Sequence, residues 1–300
     1  MIEAPLLETN DESDPREKQA AARKTTWVSV VVNCLLAAVQ VVTGLLAGSQ
    51  GLIADGIHSL SDLLADFVVL IANHHSHKEA DEDHHYGHHR YETGASLFLG
   101  LSLLVVGLGM VWSAAGKVIS PTVPQVQVVA LYAAVAALLV KEGLFRYMLA
   151  TAKRVRSSML VANAWHARSD AASSLVVAVG IIGALAGYPV LDTIGALVVG
   201  LLVTKAGWGF SWDALHDLMD RAVSAEEHEQ IRALIGATEG VRGLHDLRTR
   251  KMGDMIIVDV HIEVDGHATV REGHDIAFKA AERVKAALPV LDVMTHLDPV

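Results

Sequence analysis

The chain has 300 residues, 52% of them hydrophobic and only 19% charged, and a mean hydropathy of +0.36, which excludes an ordinary soluble pair of domains and points to membrane spans. A formal net charge of −10 excludes a chain that wraps nucleic acid. The one cysteine, Cys34, excludes an internal disulfide and a thiolate zinc cluster, so any metal falls to carboxylates and to the 16 histidines.

Residues 1–24 are polar, charged and free of any apolar run, and read as a disordered tail. A bilayer core needs roughly 20 apolar residues per helix. Trp27 to Gly48 supplies 22 without a charge, and Thr93 to Gly116, Val123 to Val140 and Ala171 to Leu191 are further uncharged runs. Pro189 to Trp212 is apolar apart from Asp192 and Lys205. Hydropathy thus gives five spans. A sixth, Gly48 to Asn73, is mostly apolar but carries Asp55, His58, Asp62 and Asp66. The expected layout is a tail over 1–24, a six-span domain over 25–213 with a histidine-rich loop at 74–89, and a soluble domain over 214–300.

Lysine and arginine sit on alternate loops: Arg16, Lys18, Arg23 and Lys24 in the tail, Lys78 and Arg90 in the second loop, and Lys141, Arg146, Lys153, Arg154 and Arg156 in the fourth. The first and fifth loops have none, and the third has one. This bias predicts that both termini are cytoplasmic.

At 100° per residue, Asp55, His58, Asp62 and Asp66 fall within an arc of about 80°. In the fifth span Asn163, His166, Asp170 and Ser174 repeat the spacing, and the strings ADGIHSLSD and ANAWHARSD match as an internal repeat of three spans would. Each string contains H-x-x-x-D, which sets an imidazole and a carboxylate one turn apart on one side. An ionisable residue near the bilayer centre costs about 2.5–3.5 kcal/mol, so stability does not account for four of them. Metal binding does, with buried interhelical hydrogen bonds as the alternative.

The loop HHSHKEADEDHHYGHHRYE holds seven of the histidines, a tract that suits a loose metal collector. Within it Asp81, His84 and His88 are spaced to meet one ion. Beyond Trp212 the pattern predicts a helix over Ala225 to Ala237, a strand over Val241 to Met252, a turn at Gly253-Asp254 and an alternating strand over Met255 to Val264. A helix over Thr269 to Leu288 and a short strand over Asp292 to Leu297 follow. This αββαβ order makes a small sheet covered on one face. His245, His261, His274, His296 and Asp298 are scattered over these elements, and spacing alone does not join them into one site.

With these features assembled, the chain from about Thr26 to Val300 resembles the cation diffusion facilitators, in the pattern of bacterial zinc and iron exporters. The resemblance rests on G-L-I-A-D-G-I-H-S-L-S-D, W-H-A-R-S-D, H-x-Y-G-H-H-R-Y-E, L-H-D-L-R-T-R and T-H-L-D-P occurring in order. It implies an all-α six-helix transmembrane domain with an α+β ferredoxin-like cytoplasmic domain, in a homodimer that exchanges divalent cations for protons across the cell (inner) membrane. It implies a tetrahedral transport site of His58, Asp62, His166 and Asp170, and a peripheral loop site of Asp81, His84 and His88. It further implies a paired tail site of His245, His261, His274, His296 and Asp298, and an interlocking pair of Arg90 and Asp220. Some zinc and cadmium exporters of this type have aspartate where this chain has His58, and manganese members carry more carboxylates. Two histidines with two aspartates favour zinc (Zn2+), with cobalt, cadmium, nickel and ferrous iron open. A membrane metalloenzyme would need a string such as H-E-x-x-H, which the chain lacks. A metal sensor that does not transport would have no use for four ligands at the midplane.

Overall fold

The structure, a computed structural model, describes residues 15–76, 78–119, 125–155 and 158–300. Six long helices come first: α1 (Pro15–Ala47), α2 (Gln50–Ser76), α3 (Arg90–Ile119), α4 (Val128–Arg154), α5 (Ser158–Leu185) and α6 (Val190–Leu218). The chain ends in α7 (Ala225–Gly236), β1 (Gly243–Met252), β2 (Met255–Val264), α8 (Val270–Ala287) and β3 (Val290–Pro299). Among the described residues, α1, α3, α4, α5 and α6 each hold a stretch long and apolar enough to cross a membrane. Helix α2, whose apolar run is interrupted by Asp55, His58 and Asp62, is continuous and as long as α4.

Two readings change. Helix α1 begins at Pro15, so residues 15–24 of the expected tail are helical and lead into the first span, which starts at Arg23, while residues 1–14 lie outside the described residues; proline suits a first helical turn, and the stretch EKQAAARK consists of strong helix formers. The fourth loop is also much shorter than its charges suggested. Lys141, Arg146, Lys153 and Arg154 all lie in α4, and Lys141 is buried at 3% exposure, while Arg156 falls outside the described residues.

Chain contacts divide the molecule into two units, residues 1–65 with 103–205 and residues 66–102 with 206–300, so the ends of α2, α3 and α6 group with the αββαβ segment. In the first unit α4 packs along α5 and α1. Small residues bring α3 and α6 into close contact: a Cβ on Gly107 would lie 2.6 Å from the Thr204 nitrogen, leaving no room for any side chain. Asp192 of α6 caps the start of α2. Its carboxylate accepts from the Ser49 hydroxyl at 2.6 Å, the Gln50 N–H at 2.6 Å and the Gly51 N–H at 3.3 Å, which satisfies amides that the helix cannot.

In the second unit β2 is the central strand, antiparallel to β1 and parallel to β3. Ile256, Val258, Val260, Ile262 and Val264 turn one face of β2 to a core completed by Ile231, Ile235, Ala280 and Val284 from α7 and α8. Both helices open with capping boxes, Ser224 with Glu227 and Thr269 with Glu272, so their first amides are satisfied locally. The β1–β2 turn needs Gly253: φ is +61°, and a Cβ there would lie 2.6 Å from the His89 carbonyl oxygen. The last strand is longer than the pattern predicts, ten residues from Val290.

Candidate metal centres

Among the described residues, three groups of ligand-type side chains converge. The first lies in the membrane-spanning helices, where the one-turn spacing of α2 sets His58 Nδ1 3.5 Å from Asp62 Oδ2. Asp170 of α5 joins them, so that one donor atom from each of His58, Asp62 and Asp170 lies within 4.8 Å of the others. All three are half-buried. His166 is on α5 one turn before Asp170, but its side chain lies outside those described, as does that of Asp66. One imidazole and two carboxylates around a common point suit a zinc-like or harder divalent ion.

One helical turn along the same stripe, Asp55 takes no part in this group. It is paired with Lys141 of α4 and surrounded by Gln40, Ser173 and Ser174. The α2 spacing places Asp55 on the same face as His58 and Asp62, while the tertiary structure occupies its oxygens with other partners.

In the loop, Asp81, His84 and His88 form a second convergent set. Asp81 Oδ1 accepts the His84 N–H at 2.7 Å and the Asp83 N–H at 3.0 Å, and Oδ2 lies 3.3 Å from His88 Nε2. The backbone N–H of His84 holds the Asp81 carboxyl below the usual carboxylate range, against an opposing desolvation, so it stays ionised for a cation. His88 is the one buried member, at 8% exposure, and its ring packs on His84.

The third set is made by sheet register, which sequence spacing did not reveal. His245 pairs with His261, and His261 with His296, so one histidine from each strand forms a row across the open face of the sheet. Neighbouring rings lie 5.0 and 4.6 Å apart. Asp298 reaches all three, at 3.2 Å from His245 Nε2, 3.0 Å from His261 Nδ1 and 3.3 Å from His296 Nε2. The hydrogen bond from His261 is the main reason the Asp298 carboxyl is held below its ordinary range. Two overlapping triads, His245–Asp246–His261 and His261–His296–Asp298, share His261. Asp246 is an addition to the expected set. It sits in a β-bulge with φ +49°, a local break that no composition signal marks beyond the residue type itself. His274 is exposed on α8 and belongs to neither triad. Arg90 Nη2 donates to Asp220 Oδ1 at 2.7 Å, with Arg90 half-buried and Asp220 exposed.

A many-helix membrane protein with an αββαβ domain and three imidazole–carboxylate centres is built to handle divalent metal ions. Family comparison gives the same class. Residues 26–219 match the cation efflux transmembrane domain, and residues 223–300 match the cation efflux protein cytoplasmic domain. The chain belongs to the cation diffusion facilitator family, whose members transport divalent metal cations and are not enzymes. Manganese efflux system protein MneS of Bacillus subtilis is 33% identical over 91% of this chain and 93% of its own length. Magnetosome protein MamB of Magnetospira is 31% identical over 94% of this chain and 98% of its own. Metal tolerance protein C1 of Arabidopsis thaliana is 34% identical over 88% of this chain, which spans 59% of that protein's length. Among solved structures, the zinc form of CzrB is 30% identical over 27% of this chain and 93% of its own, with a TM-score of 0.26.

Proposed function

We propose that this protein exports zinc from the cytoplasm in exchange for protons, as a homodimer in the cell (inner) membrane with both termini on the cytoplasmic side. The observation that carries the reading is the meeting of His58 and Asp62 of α2 with Asp170 of α5 within 4.8 Å. His166, one turn before Asp170, is the fourth ligand. A divalent ion arriving from the cytoplasm displaces protons from the imidazoles, and protons from the far side reclaim the same lone pairs and release it. Rocking of the helices between inward-open and outward-open states supplies alternating access.

The loop set, Asp81, His84 and His88, holds a second ion on the cytoplasmic side. The row of His245, His261 and His296 with Asp298 binds metal in the tail, and His274 completes the paired site that stabilises the tail dimer. Arg90 and Asp220 tie the start of α3 to the residues just beyond α6. Zinc is favoured over manganese because imidazole suits zinc while manganese prefers oxygen-only ligands, although MneS exports manganese by its name.

The test is flux into proteoliposomes carrying the full chain, under an imposed proton gradient, with zinc, cobalt, cadmium, nickel, ferrous iron and manganese in competition. Asp62→Ala and Asp170→Ala should abolish accumulation. Accumulation that survives either change sinks the site assignment, and uptake indifferent to the proton gradient sinks the exchange.

A further inference from the structure

Asp55 belongs by position to the ligand stripe of α2, three residues before His58 and seven before Asp62. A carboxylate has two oxygens and about four acceptor sites. In this protein four donors converge on them. Lys141 Nζ donates to Oδ1 at 3.2 Å, and the Ser173 hydroxyl shares its proton between Oδ1 at 3.4 Å and the Asp170 carbonyl at 2.7 Å. Gln40 Nε2 and the Ser174 hydroxyl, the latter at 2.6 Å, donate to Oδ2. Lys141 is anchored in turn by the Ser174 oxygen at 2.7 Å. Asp55 and Lys141 are 1% and 3% exposed and Gln40 is fully buried, so water does not compete for these bonds.

We infer that Lys141 is a specificity-determining residue: it withholds Asp55 from the neighbouring metal site, keeping that site at two carboxylates instead of three. The inference rests on the transport-site reading above. Its chemistry is simple. A carboxylate neutralised by an ammonium and saturated with donors is a poor metal ligand, whereas a free one adjoining His58 and Asp62 makes an oxygen-rich site of the kind that manganese prefers over zinc. A buried ion pair is also weak evidence of a purely stabilising role, because its desolvation offsets most of its attraction.

Competition flux in proteoliposomes tests this on the full chain. Lys141→Met should raise the manganese-to-zinc flux ratio on the order of tenfold, the lower end of what groups beyond the direct ligands change. Lys141→Arg, which keeps the cation, should leave the ratio near that of the unmodified protein. Asp55→Asn/Lys141→Met, with the pair neutral and no third carboxylate, should restore the original ratio, a reversal that mere loosening of the helices would not give. Should Lys141→Met fail to fold, Gln40→Leu/Ser174→Ala, which strips two donors from Asp55 and leaves Lys141, should move the ratio in the same direction by less. A folded Lys141→Met, or failing that the Gln40→Leu/Ser174→Ala protein, with an unchanged ratio overturns the inference. Asp62→Ala run in parallel separates the two ideas: if it still transports, the transport site itself is misassigned, and if it does not, only the role of Lys141 is at stake.

Discussion

Replacing His261 by alanine removes the residue shared by both tail triads, which makes it the sharpest probe of the histidine row. Its ring lies within 5.0 Å of His245 and 4.6 Å of His296, and its Nδ1 is 3.0 Å from Asp298. The side chain sits on the open face of the sheet, 38% exposed, so the metal-free cost is one hydrogen bond, about 1 kcal/mol. Metal changes the balance. A ligand held at a hundredfold over its Kd stabilises the folded state by about 2.7 kcal/mol, equivalent to slowing domain opening about a hundredfold. Hydrogen exchange of the β2 amides in the full-length protein reads that factor directly, since β2 is the central strand and its core-facing residues are buried. Zinc should therefore slow β2 exchange strongly in the unmodified protein and scarcely at all in His261→Ala. His274→Ala, which leaves the row within one chain intact, should lose less. Equal zinc protection of β2 in His261→Ala and the unmodified protein would refute the row as a metal centre.

Two further outcomes follow from the fold. Gly107→Ala should lower the yield of folded protein and its melting temperature in detergent, because the new Cβ would lie 2.5 Å from Thr204 Oγ1 and 2.6 Å from its nitrogen; a melt equal to that of the unmodified protein would mean α3 and α6 do not cross so closely. The two capping boxes make the tail domain acid-sensitive. Backbone and hydroxyl donors of Ser224 and Thr269 hold Glu227 and Glu272 below the ordinary glutamate value of 4.5, so their contribution is complete above that value and lost as pH falls through the lower folded-state values. Glu227→Gln/Glu272→Gln should flatten this acid limb in pH-dependent hydrogen exchange of α7 and α8, and an unaltered limb would assign it to other groups.

Local periodicity determines much of this protein without any tertiary contact. Apolar runs, four of them uncharged, located five of the six long helices, and one-turn spacing put His58 beside Asp62. Alternation in Met255 to Val264 separated the core face from the face bearing His261. All are properties of residues within a few positions of one another, where helix and strand geometry fix the outcome. The row of His245, His261 and His296 was not legible, because strand register depends on bulges and turns that join residues 16 and 35 positions apart in sequence. Nor was the fate of Asp55. Sequence alone placed it on the same helix face as His58 and Asp62 and counted Lys141 among loop charges, and only the tertiary structure brings the α4 ammonium to this α2 carboxylate and sets Asp170 of α5 beside His58 and Asp62. Spacing along one helix proposes which groups can share a metal, but competition from donors on other helices decides which of them are left to do so.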